Sequence, residues 1–232
     1  MKIAIMQPYF FPYIGYFQLI GAVDVFIVYD NIQYTKKGWI NRNRILRNGI
    51  ETIFTLPLKN DIDTLNIRER ELAATFNSKK LLAQIAGAYR QAPYFEKTMP
   101  LIQEILQHDA SNLFQFLHHS LCKICAHIGL TTQIRISSDI VIDHELKNQD
   151  KVLALCKAVG AKTYINAIGG QQLYSKETFL REQLHLNFIQ SKSFVYDQLD
   201  TPFVPWLSII DVMMFNSLDA TRFAIFNNYD LI

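Results

Sequence analysis

Residues 3–29 constrain this chain more than any other stretch. Ile3 to Met6 is a short buried-strand pattern that stops at Gln7-Pro8. Tyr9 to Phe17 is an aromatic stretch that Pro8, Pro12 and Gly15 punctuate as a loop. Gly15 to Ala22 can wind into a helix, and Asp24 to Tyr29 (DVFIVY) is a second apolar strand. Strand, loop, helix and strand in one run form a parallel pair joined by a crossover. The ligand crevice of such a unit lies at the carboxyl ends of its strands. Gln7 to Tyr16 and Asp30 to Gln33 both fall at that end, which makes it the expected site.

Further along, Glu51 to Pro57 (ETIFTLP) alternates as a third strand, and a mostly helical region runs from about 78 to 128. Ala92-Pro93-Tyr94 breaks one helix there, and Ser111-Asn112 can cap the next. Ile134 to Ser137 and Lys162 to Asn166 are strand-like, separated by a helix over Val152 to Val159 that stops at Gly160. Phe188 to Gln190 is a late strand and Ser208 to Asn216 a final helix. The alternation predicts a single α/β domain over 1–232, with a partly parallel sheet and a helical insertion around 70–130. There is no repeat, low-complexity stretch or linker.

Half the residues are hydrophobic, which excludes disorder. Lys and Arg total 23 against 21 Asp and Glu, so no whole-protein field selects nucleic acid or an anionic membrane. Any bound anion must meet a local cluster. Three cysteines do not make a disulfide framework and suit a reducing compartment. The N-terminus lacks a small-residue cleavage site, and no apolar run approaches the roughly 18 residues that span a bilayer. A cytoplasmic location without membrane insertion is the expectation.

Three motifs carry chemistry. Residues 7–17 hold six aromatic residues in eleven positions, suited to a pocket for a planar base or sugar ring, or else to a loop folded into the core. Asp30-Asn31-Ile32-Gln33-Tyr34 precedes a basic cluster of Lys36, Lys37, Arg42 and Arg44, with Trp39 among them. Arg holds a phosphate through two parallel hydrogen bonds while an aromatic face stacks on a base. Such a segment fits a nucleotide diphosphate or single-stranded nucleic acid, and the plain alternative is a solvated basic turn. Asn166-Ala167-Ile168-Gly169-Gly170 runs a strand into backbone N–H groups that a ligand oxygen could reach, although a simple turn explains it as well. It is not a P-loop. His118, His119, Cys122, Cys125 and His127 resemble metal ligands, but no second Cys or His pair accompanies them. Leu117, Leu121, Ile124, Cys125 and Ile128 instead trace a core stripe, so no metal is expected.

Taken together, these motifs resemble the WbqC-like protein family. The matching residues are QPYFFPYIGYF at 7–17, DVFIVYDNIQYTKKGWINRNRI at 24–45 and YRQAPYF at 89–95. Further matches are SSD at 137–139, YINAIGGQQLY at 164–174 and LSIIDVMMFN at 207–216, so the resemblance spans nearly the whole chain. It implies a role in bacterial O-antigen and related surface-polysaccharide gene clusters, where a glycyl transfer to an amino sugar has been proposed for members. A second resemblance concerns the fold. In nucleotidylyltransferases, pantothenate synthetases and class I aminoacyl-tRNA synthetases a His-x-Gly-His motif follows the first strand. Tyr13-Ile14-Gly15-Tyr16 occupies the similar place here, with tyrosines where those enzymes have histidines.

The expectation is therefore a Rossmann-like, HIGH-superfamily-like protein that forms an amide on a nucleotide-linked deoxyamino sugar. Such a reaction needs a proton route from the amine and donors for the developing oxyanion. Asp30 is the candidate base, with Asp139 behind it. Asn41, or the backbone at Gly169 and Gly170, would supply oxyanion donors. Arg42 and Arg44 would hold a diphosphate, and Trp39, Tyr9 and Tyr16 would frame the ring. Gln7, Gln33, Asn166 and Tyr174 complete the candidate substrate contacts. Without a complete ATP site the acyl group would arrive activated, as a carrier-protein thioester. No cofactor and no nucleic-acid partner are expected. A non-catalytic sugar-nucleotide binder and an ATP-dependent ligase or nucleotidylyltransferase are the alternatives.

Overall fold

The computed structural model describes residues 1–199 and 202–232. The chain begins with β1 (Lys2–Met6), α1 (Ile14–Gly21), β2 (Val25–Val28), β3 (Arg42–Arg47) and β4 (Ile50–Thr55). Next come α2 (Ser78–Tyr89), α3 (Phe95–Leu106), α4 (Leu113–Ile128), β5 (Gln133–Ile136), α5 (Asn148–Ala158) and β6 (Thr163–Ala167). The last elements are α6 (Lys176–Arg181), β7 (His185–Ser191), α7 (Ile209–Phe215), α8 (Leu218–Asn227) and β8 (Tyr229–Leu231).

Six strands form one sheet in the order β5-β2-β1-β6-β7-β8, parallel throughout except for β8. The chain builds outward from β1 to β2 and β5, then returns and builds the other way through β6 and β7. The order thus reverses between β1 and β6. A crevice opens at such a reversal, because the connections leave the neighbouring strands toward opposite faces.

Period-2 alternation sends the strand side chains to two cores. Ala4, Phe26, Val28, Ile165 and Ile189 join α1, α7, α8 and the helices α2 to α4 on one face. Ile3, Ile5, Val25, Ile27, Tyr164 and Phe188 meet α5 and α6 on the other. Strands covered on both faces read as continuous apolar runs, as DVFIVY does. α1 is buried from Ile14 to Ile20, including Gln18, which donates to the Ala224 and Asn228 carbonyls at the end of α8.

The segment 51–57 is a strand, but it lies outside the main sheet. β4 pairs antiparallel with β3 in a separate hairpin, from Arg42↔Thr55 to Arg47↔Ile50. The basic segment, for which a solvated turn is the plain alternative in the sequence, is therefore half strand. α2, α3 and α4 fall within the expected helical insertion.

Candidate functional site

A cavity of about 400 Å³ opens at the carboxyl ends of β1, β6 and β7, beside the strand-order reversal. Pro12 and the rings of Tyr9 and Tyr13 form one wall. Trp39, Asn43 and Arg44 of the hairpin form a second, Ile168 and Ile189 to Ser191 the floor, and Trp206 the far rim. The size suits a small molecule, and the lining combines aromatic faces with a few polar groups. No Asp or Glu lines it among the described residues.

Two aromatic residues in the segments that form the cavity sit in the left-handed region, the buried Phe11 at φ 43° and Trp206 on the rim at φ 61°. Non-glycine residues in that region carry about 1–3 kcal/mol of strain and need support from their surroundings. Asn43 supplies it for Phe11, since its Nδ2 donates to the Phe10 and Phe11 carbonyls at 3.0 and 2.8 Å. Ser208 adds a hydroxyl to the Phe11 carbonyl at 2.7 Å. Arg44 holds Trp206, donating Nη2 to its carbonyl at 2.8 Å, while Nη1 pairs with Glu51 at 2.9 Å. The same guanidinium lies 5.0 Å from the Trp39 ring centroid, and its Nε is buried without a partner among the described residues. Three separated segments are thereby tied around one opening.

The chemistry of the wall is neutral. Burial raises the phenol pKa of Tyr9, with the neighbouring Tyr13 adding to it. Burial also raises Tyr13, partly offset by a hydrogen bond from Ser191. Both phenols stay protonated near neutral pH, so they offer ring faces and O–H groups, not bases.

Tyr9, Trp39 and Arg44 of the expected site residues border this cavity. The others lie elsewhere. Tyr16 is buried against Tyr9, Phe17 and Phe26, and its hydroxyl donates to the Gln7 carbonyl at 3.0 Å. That contact ties Gln7 into the first turn, outside the cavity lining. Arg42 folds back on its own loop, donating to the Gly38 and Lys37 carbonyls at 3.1 and 2.7 Å. Lys36 pairs with Asp63 at 2.7 Å, so the basic cluster is largely answered from within the chain. Asn41 is buried, accepting from Tyr34 and donating one amide hydrogen to the Leu56 carbonyl, both at 2.8 Å, and it lies outside the cavity lining. Gln33 is exposed and donates to the Asp63 carbonyl.

Asp30 is buried at the end of β2 and clamped by the turn Ser137–Asp139. Its carboxylate accepts from Ser137 Oγ at 2.7 Å, Ser138 N at 3.0 Å and Ser138 Oγ at 2.7 Å. A carboxylate so occupied holds β2 to the turn after β5. Asp139 is exposed at the end of that turn. Asn166 is buried and accepts from Ala167 N, and a Cβ on Gly170 would stand 2.3 Å from Asn166 Nδ2. Gly170 is thus required by packing. Gly169 is exposed, and nothing lies within 4 Å of a Cβ added there. Tyr174 packs edge-on to Tyr164 and Phe179, on the opposite face of the sheet from the helices α2 to α4.

The expected convergence of Gln7, Tyr16, Asp30 and Arg42 thus does not form. The cavity lies at β1, β6 and β7, on the far side of β1 from β2, because the order reverses there. Sequence reasoning passed over Asn43, Ser191 and Trp206. Trp206 carried a signal, since the chain has two tryptophans and both border the cavity. In the His- and Cys-rich helix, Cys125 is buried in the core, Cys122 lies 3.8–3.9 Å from the His118 ring nitrogens, and His119 stacks on His108.

Fold and site together define an α/β protein with an aromatic cavity at the reversal point of a mostly parallel sheet. No helix among the described residues is long and apolar enough to cross a membrane. Residues 7–223 match the model of the WbqC-like protein family, and the chain belongs to that family. It is 30% identical over 218 residues to the uncharacterized protein Rv1507c of Mycobacterium tuberculosis, covering 91% of this chain and 92% of that one. No solved structure matches the chain.

Proposed function

We propose that this is a Rossmann-like transferase that takes a nucleotide-linked deoxyamino sugar into the aromatic cavity and acylates its amino group. The acyl or aminoacyl group, glycyl among the candidates, arrives as a carrier-protein thioester, and the product enters a bacterial surface polysaccharide. The observation that carries this reading is the cavity itself, with two tryptophans, two tyrosines and one arginine at a strand-order reversal. Aromatic faces bind the apolar face of a sugar ring or a base, and Arg44, Asn43 and Gln190 supply polar contacts at the edge. Membership of a family tied to polysaccharide gene clusters supports the sugar.

In the transfer, the amine attacks the thioester carbonyl, the C–N bond forms, and the C–S bond breaks. The amine proton leaves with the thiolate or to water, because no carboxylate among the described residues lines the cavity. The Arg44 guanidinium at the cavity edge supplies positive charge toward the developing oxyanion. Nucleotidyl transfer is disfavoured by Tyr16, which stands in the second histidine's place yet is sealed in the core.

The missing carboxylate favours one second reading, a binding protein that presents the sugar without reacting. Mass spectrometry after incubation with nucleotide-linked amino sugars and acyl thioesters separates the two. A mass gain of one acyl group on the sugar supports transfer. Calorimetric binding without turnover supports presentation, and no binding of any nucleotide-linked sugar overturns both.

A further inference from the structure

A second cluster lies at the carboxyl end of β2, centred on Lys151 in the first turn of α5. Lys151 is 5% exposed, and its ammonium makes one hydrogen bond, to the Asn31 carbonyl at 3.3 Å. It sits 5.4 Å from the Tyr29 ring centroid and forms no ion pair among the described residues. An ammonium has three donors, so two of them lack a protein acceptor. Taking a charge out of water without pairing it is costly, and such a group persists where something else answers it.

The surroundings are arranged to receive an anion. Asn31 is fixed by Ser137, whose Oγ lies 2.7 Å from its side-chain amide. The Asn31 amide also lies 2.9 Å from His144 Nδ1, which holds the imidazole beside the cluster. Arg68 is exposed, has no side-chain partner among the described residues, and is tied to the same strand end by its backbone N–H, which donates to the Asp30 carbonyl at 3.1 Å. The acids nearby are Asp30, already accepting three hydrogen bonds, and the exposed Glu145.

We propose that Lys151, with Arg68 beside it, forms an anion subsite for a phosphate or diphosphate group. It stands on Lys151's own surroundings and holds whatever occupies the aromatic cavity. Inorganic pyrophosphate is the probe, titrated by calorimetry into wild type, Lys151→Met, Lys151→Gln and a control, Lys157→Ala. Lys157 is on the same helix but is exposed and paired with Glu182. Loss of a charge-assisted contact predicts at least about tenfold weaker binding in both Lys151 variants, with the control unchanged. The Lys151 variants should also melt no lower than wild type, since each removes an unpaired buried charge. Absence of pyrophosphate binding to wild type at millimolar concentration overturns the proposal. So does unchanged affinity in the Lys151 variants, or a lower melting temperature, which would make Lys151 a structural residue.

Discussion

Gly15 lies directly beneath the ring of Tyr13. A Cβ at position 15 would stand 2.4 Å from Tyr13 Cε2 and 2.5 Å from Ser191 Oγ, closer than real side chains approach. The glycine therefore sets how deeply Tyr13 folds over the start of α1, and with it the shape of the cavity wall. Gly15→Ala should push the ring outward and cost about 1–3 kcal/mol, the usual penalty for overpacking. Gly169→Ala, with free space around it, should stay within about 0.5 kcal/mol of wild type. Urea unfolding of the two variants checks the contrast, and equal destabilisation would sink it.

The two arginines of the hairpin should separate cleanly. Arg44→Ala releases the Trp206 carbonyl and removes the cation near Trp39. If the cavity takes a nucleotide-linked sugar, calorimetry should show affinity falling roughly ten- to a hundredfold. Arg42→Ala, which only frees the Gly38 and Lys37 carbonyls, should change affinity by less than about threefold. Similar losses from both variants would point to a diffuse basic surface.

Asp30→Asn should behave as a fold variant. Replacing one acceptor oxygen by an amide that faces the Ser137 and Ser138 donors predicts a loss of about 1.5–3 kcal/mol. Its effect should not add to that of Ser138→Ala, because the two share one hydrogen bond. An Asp30→Asn protein with wild-type stability and abolished transfer would restore Asp30 as the base.

Acid should weaken the α4 region. Burial lowers the imidazole pKa of His118, His119 and His127 from the ordinary 6.5, the nearby His108 adding to the effect at His119. Below that value the unfolded chain binds more protons than the folded one, so stability is complete above about pH 6.5 and falls as pH drops through the lowered values. Urea midpoints at about pH 7.5 and 5.5 should differ, and His118→Gln should reduce the difference. A midpoint that does not move with pH contradicts the burial of these rings.

Much of the scaffold was legible because its signals were local. β1, α1 and β2 follow from apolar runs cut by Pro and Gly, and α2 to α4 from helical spacing with the break at Pro93. β3 was hidden because Arg42 and Arg44 alternate with the buried Asn43 and Ile45, a strand pattern dressed as a basic patch. α6, α8 and β8 went unread, being short or placed only by long-range packing. The cavity's location depended on strand order. No residue near Tyr9 encodes that β6 and β7 lie beside β1 and not beyond β5, so Gln190 and Ser191 could not be named in advance, nor the 166–170 segment set against the aromatic loop. Asp30 and Asn41 drew attention as polar residues at a strand end and in a loop, where structural clamps and reacting groups share one signature.

The bond from Arg44 to Trp206 spans 162 positions, and that from Ser208 to Phe11 spans 197. During synthesis the aromatic loop near the start therefore waits for almost the entire chain before its strained backbone is supported. Contacts so far apart in sequence form late, after the local helices and the first parallel strands. Until then Tyr9, Tyr13 and Trp39 stand without their opposite wall. If the cavity takes a ligand, its binding would report completion of the fold, and a lesion that delays closure of the 202–208 segment would silence it while leaving most of the protein assembled.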